Sequence, residues 1–581
     1  TLVSGRELPM HLGLPTRSVH GLPIIEHAEF GRNVPDEAMP DEDKMNLGKI
    51  YHMGKEEAAG LILNRQAMAS HTFITGSTGT GKSNAVYHLL DEITKNGQTT
   101  FLVVEPAKGE YKNVFGNCTD VQVFGTNPRE TPLLRMNPFA FPENIHILEH
   151  IDRLVEIFNA CWPMYAAMPA VLKDAIERSY QKVGWDLRNS ESEKGIFPTF
   201  FDLLDILPGV IEESHYSKDT QSDYVGALCT RVKSLTNGIY GSVLCAEDAL
   251  SDAEMFDQNV IVDLSRVGSM ETKSLLMGIL VMKLQEYRMC SSGMNSRLRH
   301  VTVLEEAHNL LRKTSAEQSQ EGANLQGKSV EMLANAIAEM RTYGEGFIIA
   351  DQAPGLLDMS VIRNTNTKII LRLPDEEDRK LVGKSAALKE AQIDELSKLP
   401  LGVAAVYQNE WPEAVLCKIE AYPMPENAVY HKPSKMPHEI NAEFVFGQLA
   451  VGKELEPLSI SEMEQLKLWL KRHETVLKPE DDRYLERVFA GGELDVAKTR
   501  KAVFDFFGGI GTVVDYCAAA KKSLTPRKEF LEQLQGQYGL KAAAADWVLN
   551  SVISMGMSLN PDAKAVDNLR TNFEQQGGRV L

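Results

Sequence analysis

Gly76-Ser77-Thr78-Gly79-Thr80-Gly81-Lys82-Ser83 decides how the rest of the chain is read. It fits G-x-x-x-x-G-K-[ST] in full, and its surroundings suit the motif. Phe73-Ile74 runs in as an apolar strand, and Asn84-Ala85-Val86-Tyr87-His88-Leu89-Leu90 runs out with helical spacing. Glycines let the backbone curl so that successive N–H groups converge on phosphate oxygens, and the helix N-terminus adds favourable potential. Gly76, Ser77, Thr78, Gly79, Thr80, Gly81, Lys82, Ser83 and Asn84 are therefore expected to cradle the phosphates of a nucleoside triphosphate. Lys82 is expected to reach the β- and γ-phosphates, and the Ser83 hydroxyl to coordinate Mg²⁺. A plain glycine-rich turn between strand and helix is the alternative, and the complete motif in that context argues against it.

Binding alone does not make an enzyme. Val301-Thr302-Val303-Leu304-Glu305-Glu306 reads as a buried strand ending in two acids. Successive strand residues point to opposite sides, so the acids are expected to do different work. Glu305 falls where a Walker B acid meets the Mg²⁺ shell, and Glu306 where a carboxylate polarises the attacking water. A surface turn is the bland reading, but four residues of buried strand ending in two acids are costly without partners. Phe347-Ile348-Ile349-Ala350 ends in Asp351-Gln352, which makes Gln352 a candidate sensor of γ-phosphate and lytic water.

Composition bounds the class. The 581 residues are 43% hydrophobic and 24% charged, ordinary for a globular chain of several domains. The formal net charge of −19 argues against coating nucleic acid by bulk charge, while leaving room for a basic channel. The longest apolar run, Leu275 to Met282, is too short for a bilayer, and Thr1 to Met10 shows no signal pattern. No membrane association is expected, and a chain opening on Thr reads as lacking upstream residues. Seven scattered cysteines without a C-x-x-C suggest reduced thiols in a cytoplasm.

Residues 1–48 are rich in Pro and Gly and end in the acidic stretch Asp36 to Asp43, so they read as the tail of an upstream module plus a linker. Residues 49–422 alternate strands with helical patterns, the signature of an α/β core with a parallel sheet. Strands are expected at His71–Thr75, Thr100–Glu105, Val121–Phe124, Val260–Leu264, Val301–Leu304, Phe347–Asp351, Lys368–Leu373 and Val403–Tyr407. The stretch from about 143 to 257 is too long for a loop and carries helical periodicity, so it reads as a helical insertion. Residues 423–581 read as a helical C-terminal region, with a capping box at Ser461-Glu462-Met463-Glu464 and a helix start at Thr525-Pro526.

These motifs in this order resemble the HerA branch of the HerA/FtsK group of P-loop ATPases. The match continues through Phe101 to Glu105-Pro106-Ala107-Lys108-Gly109-Glu110-Tyr111, Asn137-Pro138-Phe139 and Ile261-Val262-Asp263-Leu264-Ser265. It runs on in Glu305-Glu306-Ala307-His308, Met340-Arg341-Thr342-Tyr343-Gly344 and Asn364 to Leu373, covering roughly residues 45 to 422. The resemblance implies a RecA-like fold, a homohexameric ring, ATP at subunit interfaces and double-stranded DNA in the central channel. HerA proteins usually begin with a small β-barrel; too few residues precede Gly76 for a complete one, so either Thr1 to about Leu47 is its remnant or the barrel lies upstream. The Glu-Pro-Ala-Lys-Gly-Glu-Tyr variant and the insertion are more similar to bacterial HerA-like proteins of anti-phage systems. Their partner is an effector, either a nuclease or a sirtuin-like NAD-degrading enzyme. The expected function is thus a DNA translocase or helicase motor with a separate effector. The alternative is a nucleotide-switched ring scaffold, and a conjugation-type coupling ATPase is disfavoured by the lack of membrane segments.

Ring ATPases of this kind also need a second cation near the γ-phosphate. Arg341 is the first candidate and Arg363 the second, each weighed against a surface arginine paired with an acid such as Glu339. DNA contact is expected in the polar stretch from Arg312-Lys313 to Lys328, with Lys108 and Lys112 as weaker candidates. His146-Ile147-Leu148-Glu149-His150 matches H-x-x-E-H, but an amphipathic helix entry burying Ile147, Leu148 and Ile151 explains it better than zinc. Gly508-Gly509-Ile510-Gly511 reads as a break between helices, and Met277, Met282 and Met289 as packing in an apolar helix.

Overall fold

The computed structural model describes residues 18–20, 27–35, 39–164, 167–192, 195–214, 216–246, 249–314, 325–424 and 428–432, then chiefly the helices between 509 and 578. The capping box at Ser461–Glu464, Thr525, Gly508, the middle of the 312–328 stretch and most of the first 26 residues lie outside them. The chain divides into two compact units, residues 1–123, 156–165 and 256–430, and residues 124–155, 166–255 and 431–581.

The first unit is built on strands β1 (Lys44–His52), β2 (Lys55–Asn64), β3 (Thr72–Thr75), β4 (Thr100–Glu105), β5 (Val121–Gly125), β8 (Asn259–Asp263), β9 (His300–Glu305), β10 (Glu345–Asp351), β11 (Thr367–Ile370), β12 (Val403–Gln408) and β13 (Val415–Ile419); the short β6 (Trp185–Asp186) and β7 (Glu191–Ser192) pair separately. They form one sheet in the order β2-β1-β13-β12-β11-β3-β10-β9-β4-β8-β5. From β11 to β8 every pairing is parallel. These strands are buried from end to end, as Val260-Ile261-Val262 and Phe347-Ile348-Ile349 require, because helices cover both faces. The helix Lys82–Thr94 buries Ala85, Val86, Leu89, Leu90 and Ile93. The helix Met270–Ser291 buries Met277 and Met282, as expected of packing residues.

All the strands read from the sequence are present, and β10 lies between β3 and β9, so one strand separates the two motif-bearing ones. The RecA-like α/β class follows from that order. Strands β1, β2 and β13 were not expected. They extend the parallel block by antiparallel pairing, β12 on β11, β13 on β12, β1 on β13 and β2 on β1. The pattern of β1 is broken at Gly48, where φ is +152° and a Cβ would meet the Lys418 carbonyl oxygen at 2.1 Å. Such a bulge interrupts the alternation by which a strand is recognised.

A buried polar knot fixes the far end of the parallel strands. Arg288 donates from Nε to Glu345 Oε2 at 2.9 Å and from Nη1 to Asp257 Oδ1 at 2.6 Å, and Thr302 and His300 each reach Glu345 Oε1 at 2.8 Å. Glu345→Ala should lower unfolding stability by about 3 kcal/mol, because Arg288 Nε, His300 and Thr302 lose their buried acceptor and Arg288 keeps only its contact to Asp257 among these acids. A denaturant midpoint close to that of the parent would contradict it.

In the second unit, the helices Ile147–Cys161 (its first turns only), Met168–Lys182 and Phe200–Glu213 lie within the expected insertion. Phe139 meets Tyr180 and Phe200 edge-on there, with ring centroids 6.2 and 5.1 Å apart. The helical C-terminal region is present as Gly509–Ala520, Pro526–Tyr538, Ala542–Leu559 and Ala563–Gln575. Val548, Leu549, Val552 and Ile553 are buried, and Tyr516 packs on Phe530 and Phe573. Gly509, Ile510 and Gly511 form the first turn of a helix, not the break expected of them. Among the described residues, no helix is long and apolar enough to cross a membrane.

Candidate active site

The loop from Gly76 to Gly81 leaves the C-terminal end of β3, where open parallel sheets bind ligands. Gly79 and Gly81 hold φ of +74° and +107°, a region that side chains disfavour. A Cβ on Gly76 would lie 2.7 Å from both Leu371 Cβ and Thr80 Oγ1. The loop is braced from behind. Ser77 N donates to the Arg372 carbonyl at 3.0 Å, Thr80 Oγ1 to the Ser77 carbonyl at 2.7 Å, and Gly402 N to the Thr80 carbonyl at 3.0 Å. The Ser83 hydroxyl has no protein partner among the described residues, so it is open to a ligand.

Both acids face Lys82. Its Nζ lies 3.0 Å from Glu306 Oε1 and 3.6 Å from Glu305 Oε2. The sequence had suggested that they diverge. They converge because Glu306 leaves the strand in the left-handed region, at φ +45° and ψ +52°. That conformation is strained for a residue with a side chain, and such strain collects at functional positions. Gln352 closes the arrangement. It donates from Nε2 to Glu306 Oε1 at 2.5 Å and accepts from Thr78 Oγ1 at 2.7 Å. Lys82, Glu305, Glu306, Gln352 and Thr78 thus form one connected group at the ends of β3, β9 and β10.

Sequence reasoning assigned no role to two neighbours of this group. Asp351 accepts from the His308 backbone N and from His308 Nδ1, at 2.8 and 2.9 Å, and His308 Nδ1 lies 3.6 Å from Glu306 Oε2. The hydrogen bond to Asp351 holds the His308 pKa above its ordinary value. Burial pushes the Glu305 carboxyl up, against the pull of Lys82 and of the Tyr111 hydroxyl. The signal for His308 was its place in Glu305-Glu306-Ala307-His308, but a lone histidine after two acids does not reveal its partner on another strand.

Several expectations change. The amide of Asn84, expected in the phosphate cradle, is committed to the Glu420 carbonyl at 3.0 Å and the Tyr422 N–H at 2.8 Å, so it ties the exit of β13 to the loop helix. Lys112, a candidate for DNA contact, is paired with Asp263 Oδ2 at 2.6 Å and mostly buried. Lys108 stays half-exposed, and Arg312 and Lys313 are exposed. Arg341 precedes β10 and Arg363 precedes β11, at the strand ends opposite the loop. Both are exposed, and neither has an acidic partner among the described residues, Glu339 included. Within one chain, neither arginine joins the group around Lys82. His146 Nδ1 accepts from Leu148 N at 3.2 Å, and buried His150 packs 4.9 Å from the Phe141 ring. Ile147 and Ile151 are buried there, whereas Leu148 is exposed.

Residues 45–284 match the family model described as the central domain of helicase HerA. That match supports a HerA/FtsK-like ATPase. A probable helicase of Methanocaldococcus jannaschii is 23% identical over 436 residues, 68% of this chain and 76% of that one. The DNA double-strand break repair helicase HerA of Sulfolobus acidocaldarius is 26% identical over 393 residues, 65% and 69% of the two chains. The structure of VirB4 of Thermoanaerobacter pseudethanolicus superposes with a TM-score of 0.51 at 18% identity, covering 66% of this HerA-like chain and 98% of VirB4. That likeness concerns the fold. The match to the HerA model includes the phosphate loop and β4 with the segment after it, while β9 and β10 lie beyond residue 284.

Proposed function

We propose that the chain hydrolyses ATP and uses it as a homohexameric, cytoplasmic HerA-type motor on double-stranded DNA, working with a separate effector in anti-phage defence. The observation that carries the ATPase part is the closed group of Thr78, Gln352, Glu306, Lys82 and Glu305. Phosphates arriving at the loop compete for the Lys82 charge and free Glu306 to take the lytic water. The water oxygen bonds to the γ-phosphorus as the bridge to the β-phosphate breaks, leaving ADP and phosphate, and Glu306 accepts the proton. Gln352 keeps Glu306 and the γ-phosphate in register. Ser83 and Glu305 would hold Mg²⁺, whose charge offsets that of the phosphates. An open hydroxyl and a carboxylate are hard oxygen donors and suit that ion.

Duplex DNA as the track is supported by relatives named as double-strand break repair helicases. The net charge of −19 confines such binding to a few inward cations per subunit. With about six phosphate contacts, duplex affinity should fall roughly 10³-fold between about 50 and 200 mM salt, with little dependence on sequence. The test combines DNA-stimulated ATP turnover, triplex displacement and sizing of the nucleotide-bound protein. Displacement with stimulated turnover supports the motor. Salt-insensitive binding, or no duplex binding at low salt with an ATP analogue, leaves the nucleotide-switched scaffold as the reading, and a nuclease or NAD-degrading effector should then respond to nucleotide alone.

A further inference from the structure

The segment Glu105-Pro106-Ala107-Lys108-Gly109-Glu110-Tyr111-Lys112 follows β4, between β9 and β8 in the sheet. The three strands end in acids: Glu305 on β9, Glu105 on β4 and Asp263 on β8, with Glu105 in register with Asp263. All three are held by this one segment. Glu105 accepts from the backbone N–H of Glu110 at 2.7 Å and of Tyr111 at 3.1 Å, which fixes the start of the short helix Tyr111–Phe115. Lys112 pairs with Asp263 at 2.6 Å. Tyr111 donates its hydroxyl to Glu305 Oε1 at 2.5 Å.

The geometry leaves little freedom. Gly109 has φ +67°, and a Cβ there would sit 3.0 Å from Ser265 Oγ and 3.2 Å from Asp263 Oδ2, so the chain can pass this close only as glycine. Tyr111 is 2% exposed, and its ring stands edge-on to Tyr87 of the loop helix with centroids 4.9 Å apart. The hydroxyl is thereby aimed from a packed ring. It takes one oxygen of Glu305 and turns the other toward Lys82 Nζ, 3.6 Å away. A buried carboxylate that must bind an ion with one oxygen gains from having the other fixed, because the orienting cost is met before the ion arrives.

We infer that Tyr111 is a positioning residue for the metal-binding oxygen of Glu305, and that the segment from Glu105 to Lys112 exists to hold it there. This rests on the proposed role of Glu305 at Mg²⁺. Tyr111→Phe keeps the ring and removes the donor. Binding of mant-labelled AMPPNP to the full chain is measured in EDTA and across a Mg²⁺ titration, with thermal unfolding in parallel. In EDTA the variant should bind within about 2-fold of the parent, while half-saturation by Mg²⁺ rises about 10-fold. A hydroxyl that served only stability would lower the unfolding temperature and leave the Mg²⁺ dependence alone, and that result overturns the inference. Glu305→Gln separates the two layers. If it too keeps the parent Mg²⁺ dependence, the role of Glu305 falls and this inference with it. If Glu305→Gln loses that dependence and Tyr111→Phe keeps it, only the inference falls.

Discussion

Glu306→Gln should bind ATP as the parent does and turn it over about 10²- to 10³-fold more slowly. Among the described residues, Glu306 is the carboxylate that both Lys82 and Gln352 contact, and it is the one assigned to take the proton from water. Glutamine keeps its volume and one of its acceptors, so Gln352 and Lys82 retain a partner, and Glu305 still faces Lys82. The left-handed backbone at 306 is no harder for Gln than for Glu. Lys82→Ala should act differently. Losing a charge-assisted contact to phosphate costs on the order of 10- to 100-fold in affinity, and two buried acids are left facing each other without a cation. Equilibrium binding of a fluorescent ATP analogue, with phosphate release at saturation, separates the two variants. Near-parental hydrolysis by Glu306→Gln would show that another group activates the water.

The fold was legible where apolar runs are uninterrupted. β4, β8, β9 and β10 are buried on both faces, and a parallel strand of that kind cannot hide in a sequence. β1 and β2 were hidden because the sheet edge they form is half-exposed and broken by Gly48. In the site, the residues at strand ends were readable from their motifs, since the strand delivers them. Their mutual geometry was not. A backbone in the left-handed region at Glu306 turns two diverging acids into converging ones, and nothing in the composition of Glu305-Glu306-Ala307-His308 encodes a dihedral angle. The roles of Tyr111 and Lys112 were hidden for a related reason. Each meets an acid more than 150 positions away in sequence, across neighbouring strands. Arg341 and Arg363 show the converse case, in which proximity to a motif in sequence placed them by the site and the strand direction carries them to its far edge.

That far edge decides which nucleotide Arg341 can reach. From Glu345 to Asp351 β10 advances roughly 20 Å, so the Arg341 guanidinium falls well short of the phosphate loop of its own chain. It has no acidic partner among the described residues, and the buried knot of Arg288 and Glu345 fixes the strand that follows it. An exposed, unpaired arginine on a rigid edge is suited to meet a nucleotide held by a neighbour in a ring, and the same holds for Arg363 before β11. If Arg341 acts there, Arg341→Ala should fold and bind ATP like the parent while losing about 10²-fold or more in turnover, the range seen when a transition-state cation is removed. Mixing it with Lys82→Ala subunits should restore part of the activity, because some interfaces then pair an intact loop with an intact arginine. Because the strand direction rules out action on its own nucleotide, rings that assemble and show no rescue would exclude a catalytic role for Arg341 and move the assignment to Arg363, for which the same mixing experiment applies.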